Sequence, residues 1–248
     1  MHNNNVIVVN NLVKKFGNFV ANDHLSFTVS RGEIFGFLGA NGAGKTTAMR
    51  ILCGLLSPTS GEAYVNGFDV YTQSEAIKKN IGYMSQRFSL YDDLTTEENI
   101  RFYATIYGMN KKQIAEKTEF LLHEFGMLAV KDQLVGSIPL GWKQKIAFLI
   151  ANFHNPSVVF LDEPTGGVDP ITRRQFWELI HQAAAAGTTV FVTTHYMDEA
   201  EYCDRVSIMS EGKIVALDTP DELKKKYHVS TMGEVFYKIT RNASKNEH

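Results

Sequence analysis

Gly39-Ala40-Asn41-Gly42-Ala43-Gly44-Lys45-Thr46-Thr47 joins two apolar segments, and its residue types are those of a phosphate cradle. Before it, Glu33-Ile34-Phe35-Gly36-Phe37-Leu38 is short and apolar, as a buried strand should be, and residues 48–55 after it carry helical spacing. Strand, glycine-rich loop and helix, in that order, let backbone N–H groups turn inward onto phosphate oxygens at a helix start. Gly39, Asn41, Gly42, Ala43, Gly44, Lys45, Thr46 and Thr47 are therefore the expected nucleotide-binding residues. Lys45 supplies a point positive charge for the terminal phosphates, and the Thr46 hydroxyl is a ligand for Mg²⁺.

Outward on the N-terminal side, Val6-Ile7-Val8-Val9 and residues 25–29 read as strands, and Ser30-Arg31-Gly32 turns the chain into the strand that feeds the loop. Phe16-Gly17 lies between them; by itself Phe16 reads as a packing residue in a loop. On the other side, Ser57-Pro58-Thr59-Ser60-Gly61 breaks the chain, residues 62–65 read as a strand, Asn66-Gly67 is a turn, and Ile81-Gly82-Tyr83-Met84 is another short strand ending at Gln86. Residues 95–153 then lose the β-like runs and predict helices over 97–107, 111–125 and 143–153. The last places Ile146, Leu149, Ile150 and Phe153 on one face. β-like runs return at Val158-Val159-Phe160-Leu161, and alternate with helical stretches up to a hairpin at Glu211-Gly212. Beyond it, Val235, Phe236 and Ile239 predict a single packed turn of helix in the tail.

The 248 residues are 44% hydrophobic and 21% charged, which supports an ample core without covalent staples. A formal net charge of −2 offers no global attraction to nucleic acid or an anionic surface. Cys53 and Cys203 lack metal-type spacing and fit a reducing compartment. No run approaches the roughly 18 apolar residues of a membrane span, and Met1-His2-Asn3-Asn4-Asn5 does not begin a signal peptide. The expectation is a soluble, cytoplasmic chain that would serve a membrane only by docking on another chain.

The chemistry gathers at Asp162-Glu163-Pro164. A buried strand ending in Asp162 presents a carboxylate to a Mg²⁺ shell, and Glu163 beside it occupies the place of a general base for an attacking water. An acidic turn after a core strand is the alternative for these residues taken alone. One histidine among eight, His195, reads by itself as a structural or solvated residue more often than a functional one.

Taken in order, residues 39–47, Gln86, residues 138–145, residues 158–163, Gly166-Gly167-Val168-Asp169 and His195 resemble the nucleotide-binding domain of an ATP-binding cassette (ABC) transporter. The resemblance covers residues 6–223. Its flanking text, Ser89-Leu90-Tyr91-Asp92-Asp93-Leu94-Thr95 and Thr194-His195-Tyr196-Met197-Asp198-Glu199-Ala200, is similar to export-type, ABC-2-like ATPase subunits that pair with separate permeases. The resemblance implies an α/β, RecA-like P-loop NTPase core with a mixed sheet, an N-terminal antiparallel β lobe and an inserted helical subdomain. In residues, it implies one domain: core 1–88 and 154–226, helical insert 89–153, short tail 227–248.

It further implies that Phe16 stacks on adenine and that Gln86 reaches Mg²⁺ and the water. His195 would contact the γ-phosphate and orient Glu163, and Asp169 would cross to a second copy. Catalytic roles thus fall to Glu163, His195 and Gln86, metal binding to Thr46, Gln86 and Asp162, and the cofactors are ATP and Mg²⁺. The implied partners are a second copy, bound head to tail, and a permease docking near residues 86–94, with no nucleic acid.

The segment Ile138-Pro139-Leu140-Gly141-Trp142 departs from the family's Leu-Ser-Gly-Gly-Gln signature. Pro139 replaces the serine, removing a hydroxyl and one N–H, while Gly141 keeps a backbone donor for the partner's ATP. The expected result is attenuated rather than abolished turnover. Two rivals stay open: an ATP-gated regulatory or assembly module with little turnover, and a soluble ABC-type ATPase outside transport.

Overall fold

The computed structural model describes residues 4–86 and 90–245. Four antiparallel strands, β1 (Asn5–Phe16), β2 (Phe19–Ser30), β4 (Ser60–Val65) and β5 (Phe68–Asp69), form one sheet in the order β2-β1-β4-β5. A six-stranded sheet holds β3 (Ile34–Gly39), β6 (Ile81–Met84), β7 (Val158–Asp162), β8 (Thr189–Thr194), β9 (Arg205–Ser210) and β10 (Lys213–Asp218) in the order β10-β9-β3-β8-β7-β6. All its neighbours run parallel except the β9–β10 hairpin, so the sheet is mixed. The expected antiparallel lobe and α/β core are both present.

Every residue of β3, β7 and β8 is buried, as the continuous apolar runs of a sheet covered on both faces require. On one face, Phe27 of β2 stacks on Phe35 of β3 with ring centroids 5.6 Å apart, and Phe37, Phe160 and Phe191 complete an aromatic layer that joins the lobe to the sheet. Such pairs add about 0.5–1.5 kcal/mol each beyond their buried area. The same core takes Met49 and Ile51 from α1 (Lys45–Leu52) and Ile77 from α2 (Ser74–Asn80).

The insert contains α3 (Thr96–Ile106), α4 (Lys111–Glu124) and α5 (Leu140–Asn152). Thr95 with Glu98, and Asn110 with Gln113, form reciprocal capping boxes at the starts of α3 and α4. The predicted helix at 143–153 starts earlier, at Leu140, because Pro139 takes the N-cap position, where its fixed φ of −58° fits. Its single apolar face is also too narrow a reading. Ile146, Leu149, Ile150 and Phe153 pack into the insert, whereas Ala147, Phe148 and Ala151 pack against the sheet. That face of the sheet is further covered by Phe176 and Trp177 of α6 (Pro170–Ala185) and Leu223 of α7 (Pro220–Tyr227). The tail is more than one turn: α8 (Met232–Lys245) buries Met232, Val235 and Ile239 in the core on the same side.

Gly82 in β6 is where α5 meets the sheet edge, and a Cβ there would strike the Ala151 carbonyl. Gly82→Ala is expected to cost about 1–3 kcal/mol, the usual cost of forced overpacking. Urea unfolding measures it as a lower midpoint at unchanged slope; a midpoint equal to the parent's would mean that the contact yields freely.

Candidate functional site

Parallel register fixes the site before any side chain is considered. Leu38 pairs with Thr194, and Asp162 pairs with Thr193, so the carboxyl ends of β3, β7 and β8 lie level. Ligands bind at such edges because the loops and helix N-termini that follow the strands gather there. The loop after β3 leads directly into α1. Gly42 and Gly44 take φ of +81° and +100°, a left-handed backbone that glycine alone adopts without strain. A Cβ on Gly44 would also strike the Ala21 carbonyl, and Asn22 Nδ2 donates to the Gly44 carbonyl at 3.0 Å. Thus β2 braces the loop from outside.

A depression of about 490 Å³ opens over this loop, lined by Asn41, Gly42, Gly44, Lys45, Thr46, Thr47, Gln86 and Glu163 from the predicted set, with Phe19 and Ala21 from β2. Lys45 is 4% exposed. Its ammonium donates to the Gly39 and Ala40 carbonyls at 2.8 and 3.1 Å and lies 3.6 Å from Glu163 Oε1. Burial pushes its pKa down, opposed by Glu163 and Asp162. Asp162 is 2% exposed; burial pushes its carboxyl up, and hydrogen bonds from Thr193 Oγ1 at 2.6 Å and Thr46 Oγ1 at 3.1 Å oppose this. A hydroxyl and a carboxylate converging beside a phosphate loop make a hard oxygen pair, which fits Mg²⁺ completed by phosphate and water.

Glu163 sits at the centre of the polar groups. Gln86 Nε2 donates to its Oε2 at 3.0 Å, and His195 Nδ1 lies 3.1 Å from the same oxygen. Its φ of +48° is left-handed, unusual outside glycine, and is held because its N–H donates to the carbonyl and hydroxyl of Thr193, both at 3.1 Å.

The other predicted residues gather elsewhere. Pro139, Gly141 and Asp169 line a separate depression of about 320 Å³ with Leu140, Trp142, Lys145 and Thr172. There Asp169 caps α6, accepting from the Ile171 and Thr172 N–H groups at 3.0 Å, and the Thr172 hydroxyl with these N–H groups holds its carboxyl below the ordinary range. Phe16 lies at the end of β1, half exposed, with the Lys14 ammonium 4.9 Å from its ring centroid. The aromatic that lines the loop depression is its cross-strand partner Phe19. Phe19, Asn22 and Thr193 lie outside the set expected from sequence. Thr193 and Thr194, two hydroxyls closing an apolar strand before His195, show that polar groups end this strand but not that Thr193 meets Asp162.

A glycine-rich loop, its lysine, and a metal-type aspartate followed by a second acid, all at the carboxyl edge of a parallel sheet, define a P-loop nucleotide site. The profile of the family described as "ABC transporter" matches residues 22–166. The chain is 37% identical over 223 residues to the bacitracin transport ATP-binding protein BcrA of Bacillus licheniformis, across 89% of this chain and 72% of that one. It is 49% identical over 219 residues to the probable multidrug ABC transporter ATP-binding protein YbhF of Escherichia coli (strain K12), covering 88% of this chain but 38% of YbhF. A solved ATP-binding subunit of an ABC transporter superposes with a TM-score of 0.84 at 27% identity, over 95% of this chain and 99% of that one. The cbiO1 protein of Clostridium perfringens, part of the ABC transporter complex cbiONQ, gives 0.82 at 25% identity, over 90% and 92%. The chain belongs to the ABC transporter family and carries its ATP-binding cassette. Among the described residues, no helix is long and apolar enough to cross a membrane.

Proposed function

We propose that this chain binds and hydrolyses Mg²⁺-ATP and that two copies close head to tail to drive a separate export permease from the cytoplasmic face of a membrane. The observation that carries hydrolysis is the position of Glu163, a nearly buried carboxylate within hydrogen-bond reach of Gln86 and His195 and 3.6 Å from Lys45. Glu163 takes the proton of the attacking water, His195 orients that carboxylate and faces the γ-phosphate, and Gln86 senses the same region. Thr46, Asp162 and Gln86 would hold the Mg²⁺, which when bound neutralises charge on the phosphate oxygens. Lys45 and the amides of residues 39–47 bind the phosphates, with Phe16 and Phe19 as platforms for the base.

The separation of Pro139, Gly141 and Asp169 from the loop depression supports a site completed by a second copy. Export is supported by the similarity to proteins named for multidrug and bacitracin transport. The proposed docking surface near Gln86 includes Tyr91, Leu94 and Tyr103; Arg87, Phe88 and Ser89 lie outside the described residues. Its aromatic cluster, with Tyr91 and Phe102 rings 4.9 Å apart, suits an amphipathic segment of a permease. In this scheme residues 1–248 act as one domain, with 89–153 as the rotating insert.

A regulatory module with little turnover is the second reading, favoured by Pro139. Phosphate release from Mg²⁺-ATP by the purified chain, with and without co-expressed permease, separates the two. Steady release supports hydrolysis, and none in either condition leaves the regulatory module.

A further inference from the structure

Beyond the Glu163 centre, the most deeply buried carboxylate among the described residues is that of Glu199, 0% exposed, four residues after His195. Thr165, itself 1% exposed and two residues after Glu163, donates its hydroxyl to Glu199 Oε1 at 2.5 Å. Arg173, on the helix capped by Asp169, brings Nε to 3.5 Å from the same oxygen and Nη1 to 3.3 Å from Asp198. Its guanidinium also lies 4.0 Å from the ring centroid of Tyr196, whose ring in turn lies 4.2 Å from that of His195. One carboxylate therefore joins the loop that carries Glu163 and Asp169 to the segment that carries His195.

The loop has few other ties on that side. Glu163 is anchored through its own N–H to Thr193, and Gly166 through its carbonyl to Gln144 Nε2 at 3.3 Å. Between them the Thr165 hydroxyl hydrogen-bonds to the His195 segment, in addition to the direct approach of Glu163 Oε2 to His195 Nδ1. A buried carboxylate is costly unless it is paired; here Thr165 supplies a hydrogen-bond donor and Arg173 a positive charge 3.5 Å away.

We propose that Glu199 is a positioning residue for hydrolysis: through Thr165 and Arg173 it fixes the Glu163 loop against the His195 segment, holding base and switch imidazole in one relative position. This rests on the hydrolytic reading above. Loss of the tie moves Glu163 relative to His195 without removing any group that touches nucleotide. It therefore acts on the chemical step and spares binding, since small displacements of reacting groups cost turnover steeply.

Thr165→Val removes the hydroxyl at nearly constant shape and leaves the Glu199–Arg173 pair; Thr165→Ser keeps the hydroxyl; Glu199→Gln keeps the size and removes the charge. Each full-length variant is assayed for kcat and KM with Mg²⁺-ATP, for melting temperature, and for backbone hydrogen exchange of peptides spanning 163–169. Thr165→Val is expected to lower kcat about tenfold with KM within about twofold, and to lower the melting temperature by a few degrees because the buried carboxylate loses a donor. Amides of that stretch are expected to exchange about tenfold faster. Thr165→Ser restores both readouts, and Glu199→Gln follows Thr165→Val. Unchanged kcat and exchange in Thr165→Val, or a Thr165→Ser variant as slow as Thr165→Val, overturns the proposal. Should Glu199→Gln fail to fold, the threonine pair decides. Should the parent chain release no phosphate, the hydrolytic reading falls by that result alone, and exchange in Thr165→Val still decides whether the tie exists.

Discussion

Glu163→Gln is expected to lower phosphate release by about 10²–10⁴-fold, the range for loss of a positioned general base, while leaving nucleotide binding intact. The substitution preserves size and the strained backbone, because the Thr193 contacts that hold residue 163 at φ +48° act on its N–H and not on its side chain. What disappears is the negative charge that accepts from Gln86 and lies beside His195 and Lys45. An amide has little basicity toward water, so ATP stays uncleaved. Removing one negative charge beside the buried Lys45 also eases approach of the phosphates. The bound state should therefore accumulate as a closed pair of chains. Single-turnover phosphate release and size-exclusion chromatography in Mg²⁺-ATP measure both consequences. Parent-like turnover would remove Glu163 from the role of base and leave its central hydrogen bonding as an organising feature only.

The parts of this site legible in the sequence are those whose chemistry is local. The glycines, Lys45 and Thr46 are adjacent in one loop, and the left-handed φ values at Gly42 and Gly44 give the physical reason for those residue types. Asp162 and Glu163 are equally legible, since adjacent acids closing an apolar strand are tolerated there only beside a partner cation or water. Thr193 is not, because it reaches Asp162 across 31 positions through a parallel register that no local periodicity encodes. Glu199 and Thr165 escape for the same reason, being 34 positions apart. The fold errs in the same direction. Periodicity finds the face of α5 that packs inside the insert and misses the one that packs on the sheet. The tail helix is underestimated because its value lies in covering a distant core.

Pro139→Ser is expected to raise turnover, by about ten- to a hundredfold, and to lengthen the life of the ATP-closed pair. The structure refines what the proline removes. Pro139 is the N-cap of α5, with no side-chain cap hydrogen bond, and its carbonyl already receives the Trp142 and Lys143 N–H groups at 3.0 and 3.3 Å. The amide lost at the N-cap is one of the orphan donors of the helix start, so the proline removes an N–H and a hydroxyl together. The Leu140 and Gly141 N–H groups, which have no partner four residues back within the helix, stay at its open positive end. Enlarging Gly141 would displace the Thr172 side chain, since a Cβ there would lie 2.6 Å from Thr172 Cγ2 on the facing helix. A serine instead accepts from the first turn, stabilising α5 by about 0.5–2 kcal/mol, and its hydroxyl proton is free to donate to a phosphate held by the other copy. A hydrogen bond to a charged group contributes about 1.5–3 kcal/mol, which sets the expected factor. Phosphate release by Pro139→Ser alone, and the dissociation rate of the closed pair when Pro139→Ser is combined with Glu163→Gln, measure the two effects separately. A melting temperature that rises while both rates stay at the values found with proline would mean that the serine only caps the helix, and that phosphate contact at this end is made by backbone alone.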